Sequence, residues 1–444
     1  MNDRDLLTEI WKAGIKKVHP DYLVPKIWQE IYQKNGGDYD HYLILGGGKA
    51  GAAMAAAFTR SAPPGATWHG TLNVPNDQLK TSDTIPNLSL HPSRPPGGNF
   101  PTHEGIFGSK KQMEQARLAK SGTAGICLLS GGASALMPLP AAGISLEDKW
   151  ITTKILQHLG ADIGLLNSTR KHLSAIKGGG LGKAWLDSEA ARSGSVLTTF
   201  AISDVMGDDP SVIASGPTVP DSSTFESTLK KLADIGATNL LPKAVMARLE
   251  KGALGKIDET LKVAHPLLKY ILLGNNTMAL EACSLHAKNL GIESRIFYSP
   301  IVGAIQEATR QISTEIKDTA MKIKGPIVLI WGGECTVSVK QNSGKGGRNQ
   351  ELAIRIGMSL PKEILNKTTV LCAGTDGEDG PTDVAGGFFD LNIMTRGHQE
   401  GVDFESAIQN HSTYHAHDAI GSHLKTGWTG TNVADISMAL IRPL

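Results

Sequence analysis

The fold is decided by residues 42–60, which read YLILGGGKAGAAMAAAFTR. A short apolar run predicts a buried strand, three glycines and Lys49 form a turn, and an alanine-rich stretch then has the length of a helix. A strand, a glycine turn and a helix in this order resemble the first unit of a Rossmann fold. We expect free backbone N–H groups of this turn to face an anion, whose charge Lys49 would complement.

The same alternation of strand and helix continues along the chain. Apolar runs predict strands over residues 42–45, 126–129, 197–202, 270–273, 327–331 and 369–372. Apolar spacing of about 3.6 residues predicts helices over residues 50–60, 104–119, 146–159, 276–290 and 305–322. Alternating elements indicate an α/β protein with mostly parallel, doubly wound sheets.

The chain has 444 residues, more than one hydrophobic core usually serves. We therefore predict two lobes with an active-site cleft between them. Residues 1–255 are expected to form a Rossmann-like N-terminal domain and residues 256–444 a smaller α/β domain. Residues 433–440 are interpreted as a last helix, which could pack back on the N-terminal lobe.

Composition excludes several classes of function. The 44 basic and 43 acidic residues give a net charge of +1. The protein therefore lacks the strong positive electrostatic field that would attract a nucleic acid or an anionic membrane. Acidic residues near the start and the lack of an apolar run of about 18 residues predict a cytoplasmic protein that acts on small molecules. Its oligomeric state is left open between monomer and homodimer. The four scattered cysteines predict buried, reduced thiols.

Polar, glycine-bearing loops follow the predicted strands, at the sheet edge where open α/β folds bind ligands. Residues 130–134 lack the GxSxG order of a nucleophile elbow, so we interpret them as an oxyanion or phosphate cradle. Residues 167–180 place a cationic helix face before three glycines that are expected to end that helix. The candidate substrate- and phosphate-binding residues are Gly47, Gly48, Ser130, Gly131, Gly132, Ser134, Asn167, Arg170, Ser174 and Lys177.

Charged residues in two further places are candidates for metal binding and anion binding. Asp204 directly follows a predicted strand, where a carboxylate is suited to hold Mg²⁺, and Asp376 is the second candidate metal ligand. Arg348 starts a predicted helix, where the helix dipole disfavours a cation unless the guanidinium reaches a bound anion. Residues 426–432 supply hydroxyl and amide groups at the start of the predicted last helix.

Eight motifs in order give the chain a resemblance to the class II glycerate kinase family, whose C-terminal half is the MOFRL domain. They are GGGKAG from Gly46, SGGASAL from Ser130, NSTRKHLSAIKGG from Asn167, SDVMGDDPSVIASGPTVPD from Ser203, GGE from Gly332, GKGGRNQEL from Gly344, AGTDGEDGPTDVAG from Ala373 and TGWTGTNV from Thr426. Ala133 and Trp428 depart from the usual pattern, which has glycine and proline there.

The resemblance implies phosphorylation of D-glycerate at its 2-hydroxyl by ATP with Mg²⁺. It places the family's essential basic residues at Lys49 and Arg348, to which we add Asp204 as base or metal ligand. The residues assigned to nucleotide binding are Gly333, Glu334, Lys345, Gly346, Gly347, Asn349, Thr375, Asp376, Thr429 and Asn432.

Two alternatives stay open at this point. The glycine turn also suits an NAD(P)H-dependent reductase of hydroxypyruvate or tartronate semialdehyde, but no acidic residue for the ribose follows about 20 positions later. The second alternative is a sensor of sugar acids or nucleotides that lacks turnover.

Overall fold

The computed structural model describes residues 2–34, 39–76, 84–95, 100–339 and 343–444, without the side chains of residues 29–34. The chain divides into two compact units. We call Val24–Leu273 the parallel-sheet unit, and Met1–Leu23 with Gly274–Leu444 the mixed-sheet unit. The division expected at residue 255 differs from this one, and the N-terminal helix α1 (Asp3–Lys17) belongs to the mixed-sheet unit.

The parallel-sheet unit contains a six-stranded sheet in the order β3-β2-β1-β4-β5-β6. Its strands are β1 (His41–Gly47), β2 (Thr67–Pro75), β3 (Leu88–Arg94), β4 (Thr123–Leu129), β5 (Leu197–Ile202) and β6 (Leu268–Gly274). The pairs formed by β1 to β5 are parallel. This is the strand order of a Rossmann fold, so the doubly wound prediction is confirmed here. The order reverses between β1 and β4, where such folds bind ligands.

Helices pack around this sheet and form a second core beside it. They are α2 (Pro20–Lys34), which crosses the division, α3 (Gly51–Ser61), α4 (His103–Arg117), α5 (Ala133–Leu136), α6 (Leu146–His158), α7 (Ile163–His172), α8 (Gly180–Leu186), α9 (Glu189–Arg192), α10 (Phe225–Asp234), α11 (Lys243–Ala253) and a short 3-10 helix (Ile213–Ser215). Leu156, Leu165, Phe225 and Val245 share the second core, which fixes α6 and α7 against α10 and α11.

The mixed-sheet unit contains six strands in the order β11-β10-β9-β12-β8-β7. They are β7 (Glu293–Ala304), β8 (Ile327–Thr336), β9 (Thr368–Gly374), β10 (Gly386–Phe389), β11 (His423–Leu424) and β12 (Asp435–Ile441). Its further helices are α12 (Asn276–Asn289), α13 (Ile305–Ala320), α14 (Arg348–Met358), α15 (Lys362–Leu365), α16 (Leu391–Gln399), α17 (Phe404–Gln409) and α18 (Thr413–Ala419). Only β7 and β8 pair in parallel, so the expectation of a mostly parallel sheet is wrong for this unit.

The predicted last helix is a strand. β12 lies between β8 and β9, antiparallel to both, and all seven of its residues are buried. A strand that is buried on both faces loses the polar and apolar alternation by which strands are recognised. The short run DISMALI therefore could not be distinguished from a buried helix by its periodicity.

The six predicted strands and the five helices predicted from apolar spacing are confirmed. Each of the six predicted strands lies within a strand, and the five predicted helices correspond to α3, α4, α6, α12 and α13. The four cysteines are buried and free, as expected. No helix in the described part of the chain is both long and apolar enough to cross a membrane.

Candidate functional site

Two glycine loops, residues 46–50 and 130–134, follow the neighbouring strands β1 and β4 and are hydrogen-bonded to each other. The N–H of Lys49 donates to the carbonyl of Gly131 (2.8 Å), and the N–H of Ala50 donates to the hydroxyl of Ser130 (2.9 Å). A Cβ atom on Gly48 would lie 2.1 Å from Ser130 Oγ, and the φ of Gly48 is 137°. Glycine is therefore required at this point, because only it permits both the backbone conformation and the close approach.

The backbone of the first loop does not present the free N–H groups that we expected. The N–H of Gly48 donates to the carbonyl of Asn73 (3.1 Å), and that of Gly51 donates to the carbonyl of Gly48 (3.0 Å). With Lys49 and Ala50 also engaged, four successive amides donate within the protein. These amides are thus engaged within the protein, and Gly48 fixes the path of the loop that carries Lys49. The assignment of Gly47 and Gly48 to substrate binding stays a prediction.

Two cationic side chains meet at Gly132. The position that a Cβ atom of Gly132 would take is 3.4 Å from Lys49 Cγ and 3.8 Å from Arg94 Nη1. Arg94 is the last residue of β3 and is only 5% exposed. The stem of the Lys49 side chain and the Arg94 guanidinium thus both lie beside Gly132 at the carboxyl edge of the parallel sheet, near the point where its strand order reverses.

The second loop joins a cluster of hydroxyl groups around Lys177. The Nζ atom of Lys177 donates to the carbonyl of Ser134 (2.8 Å), to the hydroxyl of Ser134 and to the hydroxyl of Ser215 (3.4 Å). The hydroxyls of Ser134 and Ser215 lie 3.1 Å apart. Ser130 is absent from this cluster, because its hydroxyl accepts from the first loop.

The cationic segment after residue 167 is built differently from the prediction. α7 ends at His172, and Gly178 and Gly179 adopt positive φ angles that lead into α8, so these glycines do not end the cationic helix. Asn167 and Arg170 are half-buried on α7.

Two more residues of this segment are held by the protein. The ammonium of Lys171 pairs with the buried carboxylate of Asp221 at 3.1 Å. Ser174 is buried, and its hydroxyl donates to the carbonyl of Leu139 (2.8 Å), so it fixes the backbone.

Asp204 is half-buried in the loop that follows β5, the strand next to β4. Its position at the carboxyl end of a central parallel strand agrees with the expectation from the sequence.

In the mixed-sheet unit, Arg348 is held by two carboxylates. Its Nε and Nη2 atoms donate to Asp435 (2.6 and 2.9 Å), and its Nη1 atom pairs with Glu334 at 3.0 Å. Burial would lower the pKa of Arg348, but the charges of Asp435 and Glu334 outweigh burial and raise it. The guanidinium therefore has anionic partners within the protein, so its place at this helix start does not by itself require the bound anion that we expected.

The start of α14 is capped by a buried carboxylate. The two oxygens of Asp379 accept from the N–H groups of Asn349 (3.0 Å) and Gln350 (2.9 Å), and also from both side-chain amides. Burial raises the pKa of Asp379 to about 6, although these amides oppose the shift. A Cβ atom on Gly347 would lie 2.2 Å from this carboxylate. Gly347 and Asn349, which we assigned to nucleotide binding, thus pack against the cap.

Four other polar residues assigned to nucleotide binding lie in two neighbouring loops of the mixed-sheet unit. The Thr375 hydroxyl donates to the carbonyl of Ala434 (2.6 Å), and the N–H of Thr429 donates to the carbonyl of Asp376 (3.2 Å). Asp376 and Asn432 are buried nearby in the same loops, each 7% exposed.

Lys345 instead lies at the surface. Its Nζ atom is 3.8 Å from an oxygen of Asp383 and 3.8 Å from the ring centroid of Tyr414.

The remaining residues assigned to nucleotide binding are the glycines Gly333 and Gly346. A Cβ atom on Gly333 would lie 2.1 Å from the carbonyl oxygen of Ile301, and one on Gly346 would lie 2.5 Å from the hydroxyl of Thr413. Both glycines are therefore explained by close packing within the protein.

The sequence did not reveal Arg94, Ser215 and Asp435 as residues of these sites. Arg94 is the last residue of β3, a position that could have indicated it, and Asp435 follows the last glycine motif.

Comparisons with known proteins agree with this architecture. Residues 6–250 match the family described as "Domain of unknown function (DUF4147)", and residues 327–435 match the MOFRL family. The chain is 37% identical over 349 residues to the glycerate 2-kinase of Pyrococcus horikoshii, covering 78% of this chain and 77% of that protein. It is 33% identical over 442 residues to a putative hydroxypyruvate reductase of Agrobacterium vitis, covering 99% and 94%.

A solved structure is similar over almost the whole length. The crystal structure of glycerate kinase from Thermotoga maritima has a TM-score of 0.81 at 32% identity, covering 98% of this chain and 99% of that one. These matches confirm the resemblance drawn from the motifs. The chain belongs to the class II glycerate kinase family, with a DUF4147 region followed by a MOFRL region.

Proposed function

We propose that this protein is a glycerate 2-kinase, which transfers the γ-phosphoryl group of ATP to the 2-hydroxyl of D-glycerate and produces 2-phosphoglycerate. Family membership supports an enzyme that phosphorylates glycerate, and the name of the Pyrococcus relative supports the 2-position.

One observation in the structure carries the proposal. The side chains of Lys49 and Arg94 both lie beside Gly132 at the carboxyl edge of the parallel sheet. Phosphoryl transfer depends mainly on positioning and on stabilising the charge of the phosphoryl oxygens, and two cations at this edge are suited to that task.

The remaining roles follow from the chemistry of the reaction. The substrate hydroxyl attacks phosphorus directly, so the enzyme needs no nucleophilic side chain. Asp204 is our candidate for the base that accepts the hydroxyl proton, and Asp376 is the second candidate. Arg348 is proposed to stabilise the charge of the phosphoryl oxygens while Asp435 and Glu334 orient it, because a guanidinium held by two carboxylates is fixed in direction.

The residues fit a magnesium nucleotide as a partner. Within the described ranges, no three His, Cys, Asp or Glu side chains form a group that could hold a metal ion. Mg²⁺ with a nucleotide usually takes one or two protein carboxylates and completes its coordination with phosphate oxygens and water. A single carboxylate such as Asp204 or Asp376 therefore satisfies the requirement. When bound, ATP supplies the phosphoryl group and Mg²⁺ neutralises its oxygens.

The reductase is the weaker candidate, although one relative carries that name. A dinucleotide-binding turn presents its amides to the pyrophosphate. Here the amides of Gly48, Lys49, Ala50 and Gly51 donate to protein oxygens. This observation favours the kinase.

The test is a product assay on the purified protein with D-glycerate, ATP and Mg²⁺. Enolase is added without phosphoglycerate mutase, so that phosphoenolpyruvate appears only if the product is 2-phosphoglycerate. A parallel sample contains NADH and hydroxypyruvate.

Formation of phosphoenolpyruvate without mutase would support the proposal. Product that enolase accepts only after mutase is added would be 3-phosphoglycerate and would contradict the 2-position. Oxidation of NADH by hydroxypyruvate without kinase activity would make the protein a reductase, and inactivity in both samples would favour a sensor.

A further inference from the structure

Three cationic side chains of the parallel-sheet unit act on one another electrostatically, and no described carboxylate forms an ion pair with them. We call Lys149, Arg170 and Lys177 the cation cluster. Lys149 is on α6, Arg170 is on α7, and Lys177 lies in the segment between α7 and α8. The charges of Lys149 and Arg170 both act on Lys177, and that of Arg170 acts on Lys149.

None of the three cations has an anionic partner among the described residues. Lys177 is 4% exposed, and its ammonium donates only to the carbonyl of Ser134 and to the hydroxyls of Ser134 and Ser215. The Nζ atom of Lys149 is buried without any hydrogen-bond partner. Burial and the charge of Arg170 lower the pKa of Lys149 to about 7, because burial without a counter-charge disfavours the charged form.

Lys171, next to Arg170 on α7, is a buried lysine with a structural role. Lys171 is 6% exposed and pairs with Asp221, whose carboxylate also accepts from Ser223 and Thr260. Among the described residues, Lys171 thus has a counter-charge, whereas the adjacent Arg170 and the other two cations of the cluster have none. Buried cations that lack a protein partner are stabilised when an anionic ligand binds.

We propose that the cation cluster, with the hydroxyls of Ser134 and Ser215, binds the carboxylate of the acid substrate. This inference rests on the proposed function and deepens it, because it assigns the end of the substrate that does not react. A phosphate group offers the same oxyanion chemistry, so the test must distinguish the two.

The position of the cluster favours the carboxylate. α5 carries Ser134, which contacts Lys177, and begins just after Gly132, against which the Lys49 side chain lies. Gly132, beside the Lys49 side chain, and Ser134, which contacts Lys177, are therefore two positions apart in the chain. In glycerate the carboxylate is bonded to the carbon that bears the 2-hydroxyl, so a short separation of this kind is required.

The experiment compares Lys149→Met with Lys154→Met, a matched control on the same helix. The Lys154 side chain is exposed, and its ammonium lies 3.7 Å from the ring centroid of Trp150. Calorimetry measures the binding of D-glycerate, inorganic phosphate and ATP to each full-length protein separately. Kinase assays give KM for glycerate and for ATP, and glycerol, which lacks the carboxylate, is tested as an alternative acceptor.

We expect Lys149→Met to weaken glycerate binding and to raise KM for glycerate by about tenfold or more, with little change in kcat or in KM for ATP. Lys154→Met should behave as wild type, and the preference for glycerate over glycerol should fall in Lys149→Met. Arg170→Met provides a second variant, and thermal unfolding verifies that both variants are folded.

Unchanged glycerate binding in both cluster variants would overturn the inference, as would a wild-type protein that binds no glycerate. Weakened binding of ATP or inorganic phosphate, with glycerate unaffected, would assign the cluster to a phosphate instead and refute the carboxylate. Because binding is measured without turnover, a protein that binds glycerate through Lys149 but forms no product would contradict only the kinase assignment.

Discussion

Adjacent residues of α7, Arg170 and Lys171, are expected to respond in opposite ways to the same substitution. Lys171→Met removes one partner of a buried ion pair, in which Nζ lies 3.1 Å from Asp221 Oδ1 and Asp221 is 1% exposed. Leaving one charge of a buried pair without its partner destabilises a protein by about 3–5 kcal/mol. Asp221 keeps its hydrogen bonds from Ser223 and Thr260, so the lower part of this range is expected.

Arg170→Met removes a half-buried cation that has no ion pair with any described residue and lies near Lys149 and Lys177. Loss of like-charge repulsion offsets the loss of packing, so the free energy of unfolding should change by less than about 1 kcal/mol. KM for glycerate should instead rise. Arg170→Met is thus expected to impair substrate binding while Lys171→Met impairs stability.

The pH dependence of stability provides an independent check. Burial would raise the pKa of Asp221, but Lys171 and the hydroxyl donors lower it below its usual value. The stability gained from this carboxylate is therefore present at neutral pH and is lost as the pH falls through the folded-state pKa. In Lys171→Met the free energy of unfolding should decline less steeply on acidification.

Urea unfolding followed by tryptophan fluorescence, together with steady-state kinetics, measures both effects. Equal stability of Lys171→Met and wild type would refute the account of the buried pair. A large loss of stability in Arg170→Met, with KM for glycerate unchanged, would refute the account of the cation cluster.

Three further substitutions test other parts of the molecule. Lys49→Met should lower kcat by roughly two orders of magnitude without changing the melting temperature, and full activity would exclude Lys49 from the mechanism. Arg348→Lys keeps the charge but cannot form the bidentate contact with Asp435, so both kcat and the melting temperature should fall. A variant equal to wild type in both would contradict this role of Arg348. Gly48→Ala would place a Cβ atom 2.1 Å from Ser130 Oγ at a φ of 137°, so circular dichroism should show a lower melting temperature, and native stability would show that the loops can separate.

Much of the fold could be predicted because local patterns and tertiary structure agree. The glycine turn after β1, the apolar strands and the amphipathic helices each indicate the same parallel sheet, since βαβ units impose a regular alternation on the sequence. Lys49 and Asp204 could be placed at the carboxyl edge for the same reason. The motifs were also sufficient to indicate the family.

What the tertiary structure alone decided is which polar groups are already engaged. Residues 48–51 have the composition of an anion cradle, but their amides are bonded to Asn73, to the second loop and to Gly48 itself. Arg348 has the position of an anion-binding residue, but Asp435, distant in sequence, provides its anion.

The sequence alone did not predict that β12 is a strand or that the three residues of the cation cluster are neighbours, because both depend on long-range packing. β12 is a strand because β8 and β9 flank it, and its own composition does not specify that environment. Lys149, Arg170 and Lys177 become neighbours only when α6 and α7 pack together. Sequence fixes which chemical groups the chain carries and their local periodicity, whereas long-range packing decides which of those groups remain for a ligand.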